Sequence, residues 1–83
     1  MVRKEVDIYG TIRYYNEQNR SHREDGPAIE YIDGHKFWLI DSLLHRVDGP
    51  AMEYPNRDKY YFIMGRHLSY EDWLAIKDYP LLW

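Results

Sequence analysis

Two seven-residue segments hold most of the side chains in this sequence that could do acid–base or metal chemistry. Both follow the pattern His-Arg-x-Asp-Gly-Pro-Ala, at residues 22–28 and 45–51, which places them 23 residues apart. The residues that recur are His22, Arg23, Asp25, Gly26, Pro27, His45, Arg46, Asp48, Gly49 and Pro50. A histidine near an aspartate can bind a metal ion or act as a general acid or base. That chemistry would suit a hydrolase that depends on His22 and His45.

The repetition of these segments favours a structural role instead. A catalytic site brings unlike groups together once, whereas these groups recur in step with the surrounding sequence. An aspartate before Gly-Pro can accept backbone hydrogen bonds in a turn, and the arginine and histidine can pair with acids of the neighbouring repeat. No phosphate-binding glycine loop, nucleophile elbow or zinc-ligand spacing occurs. We therefore predict that the chain is not an enzyme and has no catalytic residue, metal ion or cofactor.

The 23-residue period extends beyond these two segments. Other matching pairs of segments are 29–31 with 52–54 and 36–38 with 59–61. A further ungapped shift of 23 places residues 13–15 on 36–38, so a first copy precedes the others without its opening segment. Repeats of this length usually stack on one another along one direction. We predict a single domain over residues 1–83, with repeats at about 6–21, 22–44 and 45–67.

Each repeat has the pattern of a β-hairpin. In the second copy, strands are expected at residues 28–32 and 35–40, joined by Asp33-Gly34, a type I′ signal that needs positive φ at both positions. Asp41-Ser42 then turns the chain again. The strands expected in the other copies are 6–9 and 12–15, and 51–54 and 59–64. Glu30 and Glu53 are expected to face lysines across the strands.

The C-terminal segment has the signals of a short helix. Ser69 is a good N-cap, Asp72 stands three residues later, and Pro80 prevents continuation. We predict a helix over residues 70–78, followed by an apolar tail at 81–83 that packs back or meets a partner. The predicted fold class is mainly β, an antiparallel meander of repeated β-hairpins with one C-terminal helix.

These segments resemble MORN-type repeats, which also run about 23 residues. The layout is carried by Tyr31-Ile32-Asp33-Gly34, Phe37-Trp38, and Leu44-His45-Arg46 with Gly49. The fuller His-Arg-x-Asp-Gly-Pro-Ala pattern is similar to repeats in small proteins of tailed bacteriophages. The resemblance implies MORN-like hairpins and a phage-type protein in the bacterial host cytoplasm. Two departures are the missing glycine at Asp41-Ser42 and the absence of Asp-Gly from the first copy.

Alternation along the strands places apolar residues on both faces of the expected sheet. A half-solvated sheet usually has one polar face, and one short helix can cover only part of the other. We therefore expect one face to bind a host protein or a second copy of the chain in a homodimer. The candidate interface residues are Trp38, Ile40, Tyr61, Ile63 and Trp83.

The same aromatic residues suggest an alternative, a binder that sequesters a nucleotide-like small ligand. Stacking platforms for nucleobases normally carry flanking cations. The candidate basic row here is Arg13, Lys36 and Lys59. Nucleic acid itself is an unlikely partner because the net charge is −3 and no basic stripe is present. The lack of cysteine and of a long apolar run argues against a disulfide-rich secreted protein or a membrane protein.

We expect a non-enzymatic protein-interaction module. By its resemblance to phage proteins, it would bind and inhibit or occlude a host protein, such as a defence protein, in an anti-CRISPR-like role.

Overall fold

A computed structural model describes residues 2–83 of the chain. The fold is mainly β with one helix near the C-terminus, which confirms the predicted class. The elements are β1 (Arg3–Val6), β2 (Ile12–Tyr15), β3 (Ile29–Glu30), β4 (Lys36–Phe37), β5 (Leu39–Ile40), β6 (Leu43–Leu44), β7 (Met52–Glu53), β8 (Lys59–Ile63), β9 (Arg66–Leu68), α1 (Tyr70–Ile76) and a 3₁₀ turn (Pro80–Leu82).

Seven of the strands form one antiparallel sheet in the order β1-β2-β3-β4-β7-β8-β9. Neighbours in the sheet are close in the sequence, as expected for a meander. The exception is β5 and β6, which form a separate two-stranded ribbon. The strand expected over residues 35–40 is therefore split at Trp38: β4 stays in the main sheet and β5 leaves it. Trp38 still ties the parts together, because its N–H donates to the Ala51 carbonyl at 2.7 Å.

The turns differ in type from the expectation. Gly34 has a φ of +103°, as predicted, but Asp33 is not in the left-handed region. The Tyr31 N–H donates to the His35 carbonyl, so the loop has three residues and ends on Gly34. That is the pattern of a type I turn closed by a left-handed residue. Consecutive positive φ values, which type I′ requires, occur instead at Asp41 and Ser42 (47° and 66°) and at Met64 and Gly65 (45° and 84°).

The first copy is displaced by one residue from its expected position. The strand predicted at 6–9 lies earlier, at β1, and Ile8 and Tyr9 form the turn. The Tyr14 N–H donates to the Ala28 carbonyl as the Trp38 N–H does to Ala51, so Tyr14 and Trp38, 24 residues apart, are equivalent. The loop at 16–20 absorbs the extra residue. The ungapped alignment of the first copy is therefore wrong by one residue.

The helix α1 begins as predicted and ends two residues earlier than expected. The Ser69 hydroxyl accepts a hydrogen bond from the Asp72 N–H at 3.1 Å, which confirms the N-cap. Trp73 is the buried residue of the helix. Of the apolar tail, Trp83 packs back and donates its indole N–H to the Ile76 carbonyl at 2.9 Å, whereas Leu81 is fully exposed.

The sheet has one covered face and one open face. Residues that pair across antiparallel strands share a face, and the faces alternate along each strand. The covered face carries Ile12, Tyr14, Ala28, Glu30, Lys36, Trp38, Ala51, Glu53, Lys59, Tyr61 and Ile63. The open face carries Arg13, Ile29, Tyr31, Phe37, Met52, Tyr54, Tyr60 and Phe62. The chain measures 40 × 32 × 16 Å, so its thinnest dimension holds one sheet and one covering layer.

Candidate functional site

The two His-Arg-x-Asp-Gly-Pro-Ala segments form the layer over most of the covered face. The guanidinium carbon of Arg46 lies 3.7 Å from the centre of the Trp38 ring. Its Nε donates to Asp48 at 2.8 Å and its Nη1 to the Pro50 carbonyl at 3.1 Å. The first segment repeats this arrangement with Arg23, Tyr14, Asp25 and Pro27, the ring distance being 4.2 Å. Each segment thus shields one aromatic ring from water.

The small residues of the segments leave room for these contacts. A Cβ added to Gly49 would lie 2.7 Å from the Arg46 guanidinium carbon, and one on Gly26 would lie 2.6 Å from that of Arg23. Neither glycine has a left-handed φ, so close approach rather than backbone conformation requires glycine here. Ala51 is fully buried, and its N–H donates to the Tyr60 carbonyl of the next hairpin at 2.9 Å.

His22 and His45 each accept a hydrogen bond from the backbone of a turn. The Nδ1 atom of His22 accepts the Asp41 N–H, and that of His45 accepts the Met64 N–H, both at 3.0 Å. An accepting Nδ1 carries no proton, so the neutral imidazole is the form that makes this bond. Burial lowers the pKa of His45 from its ordinary 6.5, because it disfavours the charged ring. Within residues 2–83 no group of three His, Asp or Glu side chains could hold a metal ion.

The helix α1 takes the place of a third segment. The Trp73 ring lies 4.7 Å from that of Tyr61, where the earlier repeats have an arginine. Its indole N–H donates to the Arg46 carbonyl at 2.8 Å, which joins the helix to the second segment. The helix therefore closes the stack of repeats, in the way that terminal units of repeat proteins cover the last hydrophobic face.

The predicted interface residues mostly lie on the covered face. Ile63 is fully buried, and Trp38 and Tyr61 lie under Arg46 and Trp73. Ile63 is therefore closed to a partner, whereas Trp38 and Tyr61 are half-buried. Trp38, Ile40 and Trp83 line a shallow depression of about 440 Å³ next to the second segment. The Trp83 ring also rests against His45, with 4.8 Å between ring centres.

The predicted basic row is divided between the two faces. Lys36 and Lys59 lie on the covered face, directly opposite Glu30 and Glu53, which confirms that these acids and lysines are cross-strand neighbours. Arg13 lies on the open face instead, because the first copy is displaced by one residue. There its Nη1 donates to Asp7 at 2.9 Å. This contact holds the pKa of the Asp7 carboxyl below its usual value and raises the pKa of Arg13.

The open face carries the candidate functional surface, a continuous series of aromatic rings across the sheet. Neighbouring ring centres are 5.8 Å apart for Tyr31 and Phe37, 6.4 Å for Phe37 and Tyr54, and 5.4 Å for Tyr54 and Tyr60. His67 extends the series, 5.8 Å from Tyr60. The side chains are half-buried or exposed, because no element of residues 2–83 covers them. The strand alternation that places Tyr31 and Tyr54 at equivalent positions could have identified this surface from sequence.

No protein-family model, curated protein or solved structure matches this chain.

Within the described residues, no helix is long and apolar enough to cross a membrane.

Proposed function

We propose that this chain is a non-enzymatic protein-interaction module and that its open face is the binding surface. The observation that carries the proposal is the unbroken aromatic series from Tyr31 to His67, on a face that no element of residues 2–83 covers. Tyrosine combines a large apolar ring with a polar hydroxyl, and it is enriched at the centres of protein interfaces. Burial against a partner would remove this apolar area from water.

The depression on the open face is shallow, which favours a protein partner over a small ligand. A small molecule is bound best in a concave site that encloses most of its surface. The nucleotide alternative also needs cations beside accessible rings. Lys36 and Lys59 lie on the covered face, and Arg13 on the open face is already paired with Asp7. Two of the three cations thus lie on the opposite face from the accessible rings, and the carboxylate of Asp7 already pairs with the third.

The histidines offer no support for the hydrolase alternative. In both His22 and His45, Nδ1 is used as the acceptor of a turn N–H. The equivalence of the two contacts matches the structural role expected from their repetition. We propose no catalytic residue.

The nature of the partner rests on the resemblance to small phage proteins. On that basis the partner would be a host protein in the bacterial cytoplasm, such as a defence protein that is occluded on binding.

A pull-down with matched variants tests the binding surface. The bait proteins are the wild type, Tyr60→Ser on the open face, and Tyr79→Ser as control, since Tyr79 is 61% exposed and lies outside the sheet. Proteins retained from a bacterial lysate are identified by mass spectrometry, and thermal unfolding checks that each bait is folded. We expect one partner to be retained by the wild type and by Tyr79→Ser and to be lost with Tyr60→Ser. Equal retention by all three would refute the assignment of the open face.

The same face could join two copies of the chain, as expected for a homodimer. Sedimentation at micromolar concentration distinguishes this case. If a dimer forms through the open face, Tyr60→Ser should shift it toward a monomer of 10.2 kDa, and Tyr79→Ser should not.

A further inference from the structure

Part of the open face forms a small box of aromatic rings with a carboxylate beside it. The lining residues are Tyr31, Asp33, His35, Phe37 and Tyr54, around a shallow space of about 420 Å³. The Tyr31 and Phe37 rings are nearly perpendicular, at 89°, and Tyr54 meets Phe37 at 72°. The His35 ring lies 4.9 Å from that of Tyr54. The His35 ring is nearly parallel to Phe37, at 18°, so the rings line the space at different angles. The electron-rich faces of such rings attract cations.

The carboxylate of Asp33 is fixed and ionised. Its Oδ1 accepts both the side-chain Nδ1–H of His35, at 2.8 Å, and the His35 backbone N–H, at 3.1 Å. The hydrogen bond from the His35 side chain is the main reason that the pKa of Asp33 lies below its usual value. Both of these bonds end on Oδ1, which leaves Oδ2 for another donor.

The box contains the parts of an arginine site that the chain builds elsewhere. In both His-Arg-x-Asp-Gly-Pro-Ala segments, a guanidinium stacks on an aromatic ring while an aspartate accepts its Nε–H. The box has the rings and the aspartate, but no lysine or arginine lines it. Of the arginines on this face, Arg13 is held by Asp7 and also interacts with the Tyr31 side chain, and Arg3 is paired with Glu5. The negative charge and the ring faces thus complement a cation supplied from outside.

We propose that this box binds an arginine side chain presented by the protein partner. This proposal rests on the proposed function and specifies what the partner carries. A guanidinium suits the box better than an ammonium because its plane can stack on a ring while its N–H groups reach Asp33 Oδ2.

The test uses a short peptide as the probe, so it needs no knowledge of the partner. Acetyl-Gly-Arg-Gly-amide is titrated into the wild-type protein while the ring resonances of Tyr31, Phe37 and Tyr54 are followed by NMR. The matched probe contains citrulline, which has nearly the shape of arginine without the charge. We expect saturable shifts confined to these rings, with citrulline binding weaker by about threefold to tenfold. Equal binding of both peptides, or no shift at these rings, would overturn the proposal.

A matched pair of variants tests the carboxylate. Asp33→Asn should fold, because Asn56 occupies the equivalent position 23 residues later and its Oδ1 likewise accepts a backbone N–H two residues on, at 3.0 Å. Asp58→Asn is the control, since Asp58 does not line the box. We expect Asp33→Asn to weaken arginine binding about threefold or more while Asp58→Asn leaves it unchanged. Unchanged binding by Asp33→Asn would contradict the role of the carboxylate.

The outcomes separate this proposal from the proposed function. If the arginine peptide does not bind but Tyr60→Ser still abolishes partner retention, the box proposal fails and the interaction surface stands. If Tyr60→Ser retains the partner, the assignment of the open face as the binding surface fails. The proposal that the box binds an arginine of that partner then fails as well, even if the arginine peptide binds.

Discussion

Replacing Gly49 with alanine tests the packing of the arginine segments most directly. The Arg46 guanidinium is held between the Trp38 ring and the backbone of Gly49. A Cβ at position 49 would lie 2.7 Å from the guanidinium carbon, closer than real Cβ contacts allow. The guanidinium must therefore move away from its present contacts.

The expected cost is the sum of the contacts that the guanidinium would lose. The Arg46 side chain is 17% exposed, so its stacking on Trp38 should contribute about 1 kcal/mol. The hydrogen bond to the Pro50 carbonyl, from a charged donor, should contribute about 1–2 kcal/mol. The ion pair with Asp48 adds less than about 0.5 kcal/mol, since that carboxylate is 74% exposed and screened by water. These losses amount to about 2–3 kcal/mol, and alanine offsets about 0.4–1 kcal/mol of them through the lower entropy of the unfolded chain. Gly49→Ala should thus lower the free energy of unfolding by about 1–3 kcal/mol.

The assay is a double-mutant cycle with Arg46→Ala, followed by urea denaturation. Because Gly49 does not have a left-handed φ, alanine is compatible with its backbone. Without the guanidinium, Gly49→Ala should cost nothing, and it should stabilise by about 0.4–1 kcal/mol through the lower entropy of the unfolded chain. An equal loss of stability in both backgrounds would refute the close-approach explanation. Gly26→Ala with Arg23→Ala provides an independent replicate in the first segment.

Three further outcomes are expected. Gly34→Val should destabilise by about 1–3 kcal/mol because Gly34 has a φ of +103°, and an unchanged melting temperature would contradict the turn. Trp73→Ala should lower the free energy of unfolding by about 3–5 kcal/mol in urea denaturation, since the ring is 4% exposed; native stability would remove it from the core. Because the pKa of His45 is lower in the folded protein than its ordinary 6.5, the stability it contributes is present above pH 6.5 and is lost as the pH falls through the lowered value. His45→Asn keeps an acceptor near the Nδ1 position but does not titrate, so it should lose less stability than the wild type as the pH falls below 6.5. Urea denaturation at one pH above and one pH below 6.5 measures this loss. An equal loss of stability in the variant and the wild type would assign the pH dependence to other groups.

Local sequence signals determined the elements that depend on neighbouring residues. The repeated segments at 22–28 and 45–51 revealed the period and hence the hairpin meander. The Ser69 cap and the position of Asp72 located the start of α1, since capping is settled within one turn. The positive φ of Gly34 followed from its place in a tight hairpin loop.

The tertiary structure decided which face of the sheet is covered. The strands carry apolar residues on both faces, so alternation alone could not tell which set meets a partner. The side chains of Arg23 and Arg46 lie over the rings of Tyr14 and Trp38 and so cover that face of the sheet. They do so although both arginines are charged. An arginine stem and its flat guanidinium can cover apolar surface, which polarity patterns do not anticipate.

The strand register of the first copy could not be predicted by comparing the repeats in the sequence. A single extra residue in the loop at 16–20 moves Arg13 to the opposite face from Lys36 and Lys59. Because side chains alternate with a period of two, a shift of one residue exchanges the faces of every residue in a strand. A loop insertion leaves almost no trace in a short degenerate repeat, whereas the hydrogen bonds from Tyr14 to Ala28 and from Trp38 to Ala51 fix the register directly.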